Sequence, residues 1–327
     1  MAIQVFDEFL KEFEQPITQF VSNAVQNVSS YVDAPLRVAV MLYVVIYGIA
    51  VMRGAIQEPI LDFAWRTIRI VTVILLATNA ASYQQYVTGL FFDSLPKEIS
   101  NAIVGGGLDM KSGQPFDQLL NKGVEVATKI YEQAGITNIA PALIAAILLV
   151  FTAVSGFLQF AIMLYAKVGL ALVLALGPIF IALMLFEATR TFGEAWTRQL
   201  ANFVILHVLV VALIGLMLTT VGHFVDKYGA NAATGGQLIV SAVAISAVLG
   251  LAAYIALQLP EIAGALAGGG ASLAAHMLNR WMAATATTAT LGATIGAYAG
   301  AHVAATRTLR TLRGRKSGGA IRHVPAE

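Results

Sequence analysis

Ionisable side chains at helical spacing are the first place to look for chemistry in this sequence, and they are few. His207 and His223 lie sixteen residues apart in an apolar stretch. Such a pair can begin a proton relay or a metal site, while a histidine satisfied by a neighbouring helix accounts for the same pattern. Glu187 and Glu194, seven apart, share one helical face as a candidate carboxylate pair, although Arg190 and Arg198 beside them fit structural ion pairs better. Lys167 is the single charge between Ile139 and Phe186. The run Arg313-Gly314-Arg315-Lys316-Ser317 lacks the spacing and the preceding strand of a phosphate loop, and Gly268-Gly269-Gly270 reads as a hinge rather than an anion nest. With no cysteine, disulfides, thiolate metal sites and cysteine catalysis are excluded. No catalytic set assembles from these residues, so no enzyme activity, cofactor or metal is expected.

The elements that must position these residues follow from composition. The 327 residues are 58% hydrophobic and 12% charged, against about 25% charged for soluble chains. Charges are absent between Arg198 and Asp226 and between Lys227 and Glu261. Stretches of that length predict an all-α fold, a polytopic α-helical integral membrane protein with an amphipathic N-terminal helix and a helical insert. Leu36 to Met52 is the first membrane candidate and Trp65 to Ala81 a weaker second, together a short hairpin whose loop holds Arg53, Glu58, Pro59 and Asp62. Ile139 to Phe186 is apolar for 48 residues, about 72 Å of helix, and reads as two crossings with a tight turn at Lys167. Gly177 and Pro178 then form a helix break or hinge in the second of these. Glu187 to Gln199 reads as an interfacial linker carrying Arg190, Trp196 and Arg198, with the Trp196 ring half in lipid or subunit contact and its indole N–H on a polar partner. Ala201 to Val225 and Leu238 to Leu259 are further candidates, and Pro260 is a second hinge.

The expected domains are therefore 1–35, an amphipathic helix; 36–81, the hairpin; 82–138, a polar insert; 139–260, the membrane core; and 261–327, an Ala/Gly-rich segment with a basic tail. In the first, Asp7, Glu8, Glu12, Glu14 and Asp33 stand against Lys11 alone, unlike an export signal, so this segment is expected to stay on the protein. Its apolar residues Ile3, Phe6, Leu10, Phe13, Ile17 and Phe20 form one narrow seam. That seam suits packing on the chain's own membrane domain or association between copies. In the insert, Gly105-Gly106-Gly107 reads as a joint, and a second amphipathic helix is expected from Pro115, with Phe116, Leu119, Val124, Ala127 and Ile130 on one side.

Lys and Arg in short loops set orientation. Arg53, Arg66 and Arg69 mark the hairpin loop as cytoplasmic, and Arg307, Arg310, Arg313, Arg315, Lys316 and Arg322 do the same for the tail. The acidic N-terminus and residues 82–138 are then periplasmic. Six candidates, however, would return the tail to the periplasm. Either one is re-entrant or peripheral, or the small-residue tract between Ile262 and Ala305 crosses as a seventh, leaving five to seven crossings.

Absence of a nucleotide-binding motif excludes a motor, and an ion-coupled small-molecule transporter has only Gly177-Pro178 as a broken helix. What remains is a channel, scaffold or assembly component. The layout of acidic N-terminal helix, hairpin and insert, with Glu194-Ala195-Trp196-Thr197-Arg198-Gln199 leading into an apolar helix and Gln258-Leu259-Pro260-Glu261-Ile262-Ala263 running into Leu266-Ala267-Gly268-Gly269, resembles the TrbL family. That is the polytopic inner-membrane channel component, the sixth VirB-type subunit, of bacterial type IV secretion systems. The resemblance covers roughly residues 1 to 275 and needs an odd number of crossings. It implies a multi-pass protein of the bacterial inner membrane that supports translocation of DNA-protein or protein substrate and pilus assembly. It further implies a homo-oligomeric ring, with five-fold symmetry as a working assumption. The implied partners are a minor-pilin stalk protein, the major pilin, inner-membrane scaffold subunits, secretion ATPases, membrane lipid and, transiently, the DNA-protein substrate.

Overall fold

In a computed structural model of the chain, the described residues are 4–55, 60–104, 112–134, 139–229 and 235–268. Ile3, Gly105-Gly106-Gly107, Gly269, Gly270, the rest of the small-residue tract and the basic tail lie outside them. Among the described residues the fold is all-α. Its elements are α1 (Val5–Met52), α2 (Ile60–Thr78), α3 (Ala80–Tyr83), a π-helix (Gln84–Ser94), α4 (Leu95–Val104), α5 (Gln114–Tyr131), α6 (Ala140–Ala175), α7 (Gly177–Leu183), α8 (Arg190–Gly229) and α9 (Gly235–Leu266). Of these, α1, α6, α8 and α9 are long and apolar enough to cross a membrane.

Neighbouring residues give the helix directions. Phe6 of α1 lies near Gly156 of α6, Glu14 near Lys167, and Ile17 near Val168, so α1 and α6 run parallel. Ile144 and Phe151 of α6 meet Val243 and Gly250 of α9, again in parallel. Gly169 of α6 meets Phe203 of α8 and Val173 meets Trp196, so α8 runs back. The return from α1 begins where Phe63 of α2 stacks on Tyr47. It continues antiparallel through Gln84, whose Nε2 donates to Ser22 Oγ at 3.1 Å.

These directions bear on the crossing count. The turn expected at Lys167 does not exist, because α6 is one unbroken helix of 36 residues and Lys167 is an interior residue of it. Residues 140–175 are thus one candidate span, and the start of α1 and the end of α9 fall at opposite ends of the bundle. The sequence reading failed here because length alone counted crossings, and a helix can exceed the thickness of a bilayer. Pro16 and Pro35 likewise interrupt nothing: α1 runs through both for 48 residues, joining the acidic segment to the first membrane candidate.

Two apolar cores hold the bundle. One joins α5, α6, α8 and α9 through Phe116, Leu148, Met163, Leu206, Ile214 and Ile245. The other joins α1, α2, α6, α7 and the start of α8 through Val25, Tyr83, Leu174, Ile181 and Trp196. The central pillar is α8, with 67% of its most apolar stretch buried against 6% for α1.

The expected insert helix is α5, with Pro115 in its first turn and Phe116, Leu119, Ala127 and Ile130 buried. Its N-terminus meets that of α1 in a reciprocal cap. Phe6 and Asp7 N–H donate to the two Asp117 carboxylate oxygens at 3.0 and 2.9 Å, while Gly113 N–H donates to Asp7 Oδ1 at 3.0 Å. Each helix thus supplies the acceptor for the other's first-turn amides, which have no partner within their own helix. Lys11 Nζ donates to the same Asp7 at 2.7 Å. Gly113 is required for this approach, since a Cβ there would overlap the backbone of Phe6 and Asp7.

Burial holds the Asp117 carboxyl above the ordinary carboxylate range; the Phe6 and Asp7 amides oppose this, and the Asp7 and Glu8 charges add to it. A raised native pKa means that the folded state binds the proton more tightly than the unfolded chain. This group's contribution to stability is therefore greatest below the ordinary carboxylate value and declines as pH rises through the elevated one. Asp7→Ala and Asp117→Ala should each lower thermal stability in detergent by about 0.5–2 kcal/mol. The double variant should lose less than the sum, because both act on one joint. Asp117→Asn should remove that part of the pH slope; a strictly additive double variant would mean two independent caps.

Candidate functional site

The site begins with a proline. Pro178 has no N–H, so the carbonyl four residues earlier, Leu174, lacks its ordinary i+4 donor and takes only the Leu176 N–H of the cap, and α6 ends at Ala175 before α7 restarts at Gly177. In an apolar bundle an unpaired carbonyl is costly, and another helix must supply a donor. Tyr83 Oη donates to the Leu174 carbonyl at 2.8 Å, and Trp196 Nε1 donates to the adjacent Val173 carbonyl at 2.9 Å. Tyr83 is fully buried, and the Trp196 ring lies parallel to Phe180, with centroids 6.3 Å apart. Gly177 is the third requirement, because a Cβ on it would overlap the Tyr83 hydroxyl. The break is thus a closed joint between the return segment, α6–α7 and α8.

The other sequence-identified residues distribute around it. Gly177 and Pro178 are buried in the joint, whereas Pro260 is buried inside α9, which continues to Leu266. Trp196, Arg190 and Arg198 lie in the first turns of α8, so residues 190–199 are helix rather than a separate linker. Trp196 finds the expected polar partner, but its ring is 7% exposed, enclosed by the chain itself rather than half in lipid. Arg190 pairs with Glu194 at 2.9 Å, both about half exposed, and such a pair contributes little. Arg198 is exposed. Glu187 sits in the turn between α7 and α8 and lines a cavity with Arg66 and Arg69.

His207 is buried on α8 and His223 is exposed on it; sixteen residues separate them by about 24 Å along the axis, too far to share a ligand. Lys167 Nζ instead meets Glu14 Oε1 at 3.6 Å, with the lysine side chain 11% exposed.

The N-terminal seam divides. Phe6 packs against Phe160 and Phe116 with centroids 4.8 and 6.1 Å apart, and Leu10 is buried in the larger core. Phe13, Ile17 and Phe20 line an open apolar groove of about 360 Å3 with Val168, Ala171 and Leu172 of α6. Sequence reasoning missed Tyr83, Asp7, Asp117 and Glu14 as positioning residues. One signal was available: Pro178 announces a carbonyl in need of a donor, though not which side chain supplies it.

Removing one donor should therefore be felt. Tyr83→Phe and Trp196→Phe should each destabilise by about 1–3 kcal/mol, the cost of leaving a buried acceptor unpaired. Gly177→Ala should be worse than either, and pairing it with Tyr83→Leu should recover part of the loss in a double-mutant cycle read by thermal unfolding in detergent. Additive effects would mean that Tyr83 and Gly177 do not touch in the folded protein.

Comparison with known proteins adds to this geometry. Residues 40–259 match the family described as TrbL/VirB6 plasmid conjugal transfer protein. The chain is 30% identical over 257 residues to the type IV secretion system protein VirB6 of Bartonella henselae, covering 78% of this chain and 77% of that one. It is 26% identical to protein VirB6 of Agrobacterium fabrum over 60% of this chain and 66% of that one. It is also 22% identical to the type IV secretion system protein VirB6 of Brucella abortus over 84% and 80%.

Proposed function

The chain belongs to the TrbL/VirB6 family, and from that membership we propose that it is the inner-membrane channel or platform component of a bacterial type IV secretion or conjugation machine. It is a multi-pass membrane protein, and the family match spans most of its described helices. The observation that carries the reading is the match over residues 40–259, which contains most of the hairpin and the proline-broken core. In this role it supports passage of DNA-protein or protein substrate and pilus assembly, beside pilins, scaffold subunits and ATPases. Copies form a ring, and the groove of Phe13, Ile17 and Phe20 is its contact, a reading supported by apolar side chains left open on α1.

The N-terminus and residues 82–138 face the periplasm and the basic tail faces the cytoplasm. Support comes from the basic hairpin loop and tail, and from helix directions that leave the start of α1 and the end of α9 at opposite ends of the bundle. Cysteines at Gln19, Gln133 and Ser317 test this in a cysteine-free background. Gln133 is chosen because it is exposed, whereas Gly113 has no room for a side chain. An impermeant maleimide should label Gln19→Cys and Gln133→Cys in spheroplasts, and Ser317→Cys only after lysis. Reversal of that pattern would overturn the orientation.

One observation favours the ion-coupled transporter instead, the enclosed Lys167–Glu14 pair. As a structural pair it should obey a simple rule. Lys167→Gln or Glu14→Gln alone should reduce protein level and transfer, while the double variant, which leaves neither charge without its partner, should recover both with an unchanged pH profile. Loss of transfer in an assembled double variant, with a shifted pH profile, would move the assignment to the transporter.

A further inference from the structure

The first half of α1 has three sides. One is buried against the core through Leu10, Val21 and Val25. A second, with Phe13, Ile17 and Phe20, forms the open apolar groove with Val168, Ala171 and Leu172 of α6. The third carries Glu8, Glu12, Gln15, Gln19, Asn23 and Gln26, all exposed and, at 3.6 residues per turn, within a sector of about 80°. From Glu8 to Gln26 this polar stripe is about 27 Å long.

Its neighbours give the stripe a meaning. Phe6 is next to Gly156 of α6, Glu14 is next to Lys167, and Phe20 shares the groove with Leu172, so the stripe runs alongside the second half of α6. The exposed residues of α6, a candidate membrane span, are apolar throughout apart from the Tyr165 hydroxyl. Carboxylates and amides facing hydrocarbon are costly, so the polar side of α1 and the apolar side of α6 do not suit the same solvent. The groove is the boundary between them. One bank is α1, with the polar stripe beyond it; the other is α6, with exposed Tyr165 and Leu176 beyond it. A neighbouring copy seated in the groove puts the two banks on opposite sides of the contact, and a closed ring has an interior on one side of each contact and a perimeter on the other.

We propose that the stripe of α1 lines a water-filled interior of the assembly, while the outer side of α6 meets lipid. This rests on the ring reading and names the face that the ring encloses. The lining suits hydrated cargo rather than anion capture: Glu8 and Glu12 are its charges, Lys11 at its edge is bonded to Asp7, and the remaining side chains are neutral amides.

Substituted cysteines in the cysteine-free chain read this directly. Gln15→Cys, Gln19→Cys and Gln26→Cys lie on the stripe, and Tyr165→Cys and Leu176→Cys stand across the groove at matching heights. All five side chains are exposed, so no core contact is emptied. In membranes holding the full chain and open to reagent from both sides, sulfonatoethyl methanethiosulfonate reacts with thiolates, which form in water and not in hydrocarbon. The stripe cysteines should react at least about a hundred-fold faster than the two on the α6 side, with the oligomeric mass of each sample measured in the same preparation. Fast labelling of all five would put this whole height outside the hydrocarbon and overturn the proposal. Stripe cysteines as slow as the other two, in an intact oligomer, would mean that the stripe is covered, which overturns it as well. A monomeric wild type would sink the ring reading and this proposal with it, an outcome that the mass reports independently of the rates.

Discussion

Backbone polar groups that a helix cannot satisfy by itself need partners, and in an apolar bundle those partners come from other helices. This protein meets that demand twice across long sequence separations. At the break in α6, the Leu174 and Val173 carbonyls take hydrogen bonds from Tyr83 and Trp196. At the meeting of α1 and α5, each N-terminus takes its acceptor from the other helix. Both joints tie the N-terminal third of the chain to the α5–α6–α8–α9 core. Apolar contact alone would permit sliding there, because it is not directional.

The two joints also explain how an acidic, amphipathic α1 lies along a membrane-type helix. Its buried side combines Leu10, Val21 and Val25 with Asp7, whose carboxylate is committed to Gly113 and Lys11. Glu14 is matched by Lys167, the single charge of α6. Asp7 and Glu14 on the inner face of α1 are thus each matched, Asp7 at the α5 cap and by Lys11, Glu14 by the core lysine. Its outer face mixes charged residues with exposed Val5, Phe9, Phe13 and Phe20 before Pro35 and becomes mainly apolar after it, where Val38, Met41 and Val45 are exposed. A single helix therefore packs on the core through one side of its first half and carries exposed apolar side chains along both halves.

For a subunit of a secretion machine this architecture has a mechanical meaning. The proline break lets α6 and α7 depart from one straight axis, and Tyr83 links that departure to the return from the hairpin. Trp196 links it to α8, the most enclosed helix. Movement of the return segment relative to the core would have to break or carry along the Tyr83 hydrogen bond, so this joint is one place where a force on the hairpin reaches the core.

Much of this was legible from residues alone. Hydropathy gave the all-α membrane class, because uncharged runs have no other stable setting. Pro115 with its apolar face located α5, and Gly177-Pro178 located the break, since a missing N–H interrupts a helix wherever it occurs. Family membership was also readable, through the layout and the segments around Trp196 and Pro260. Other features were decided by the tertiary structure. Composition cannot tell one long helix from two short ones, so Lys167 read as a turn until Glu14 was found beside it. Periodicity put Phe6, Leu10, Phe13 and Phe20 on one seam, yet only packing determines that the first two are inside the chain and the last two outside. The partners of Pro178's orphaned carbonyl and of the α1 and α5 amides lie about 90 to 110 residues away in sequence. A proline announces an empty acceptor, but which donor fills it is fixed by helix direction and register, quantities that no local pattern encodes.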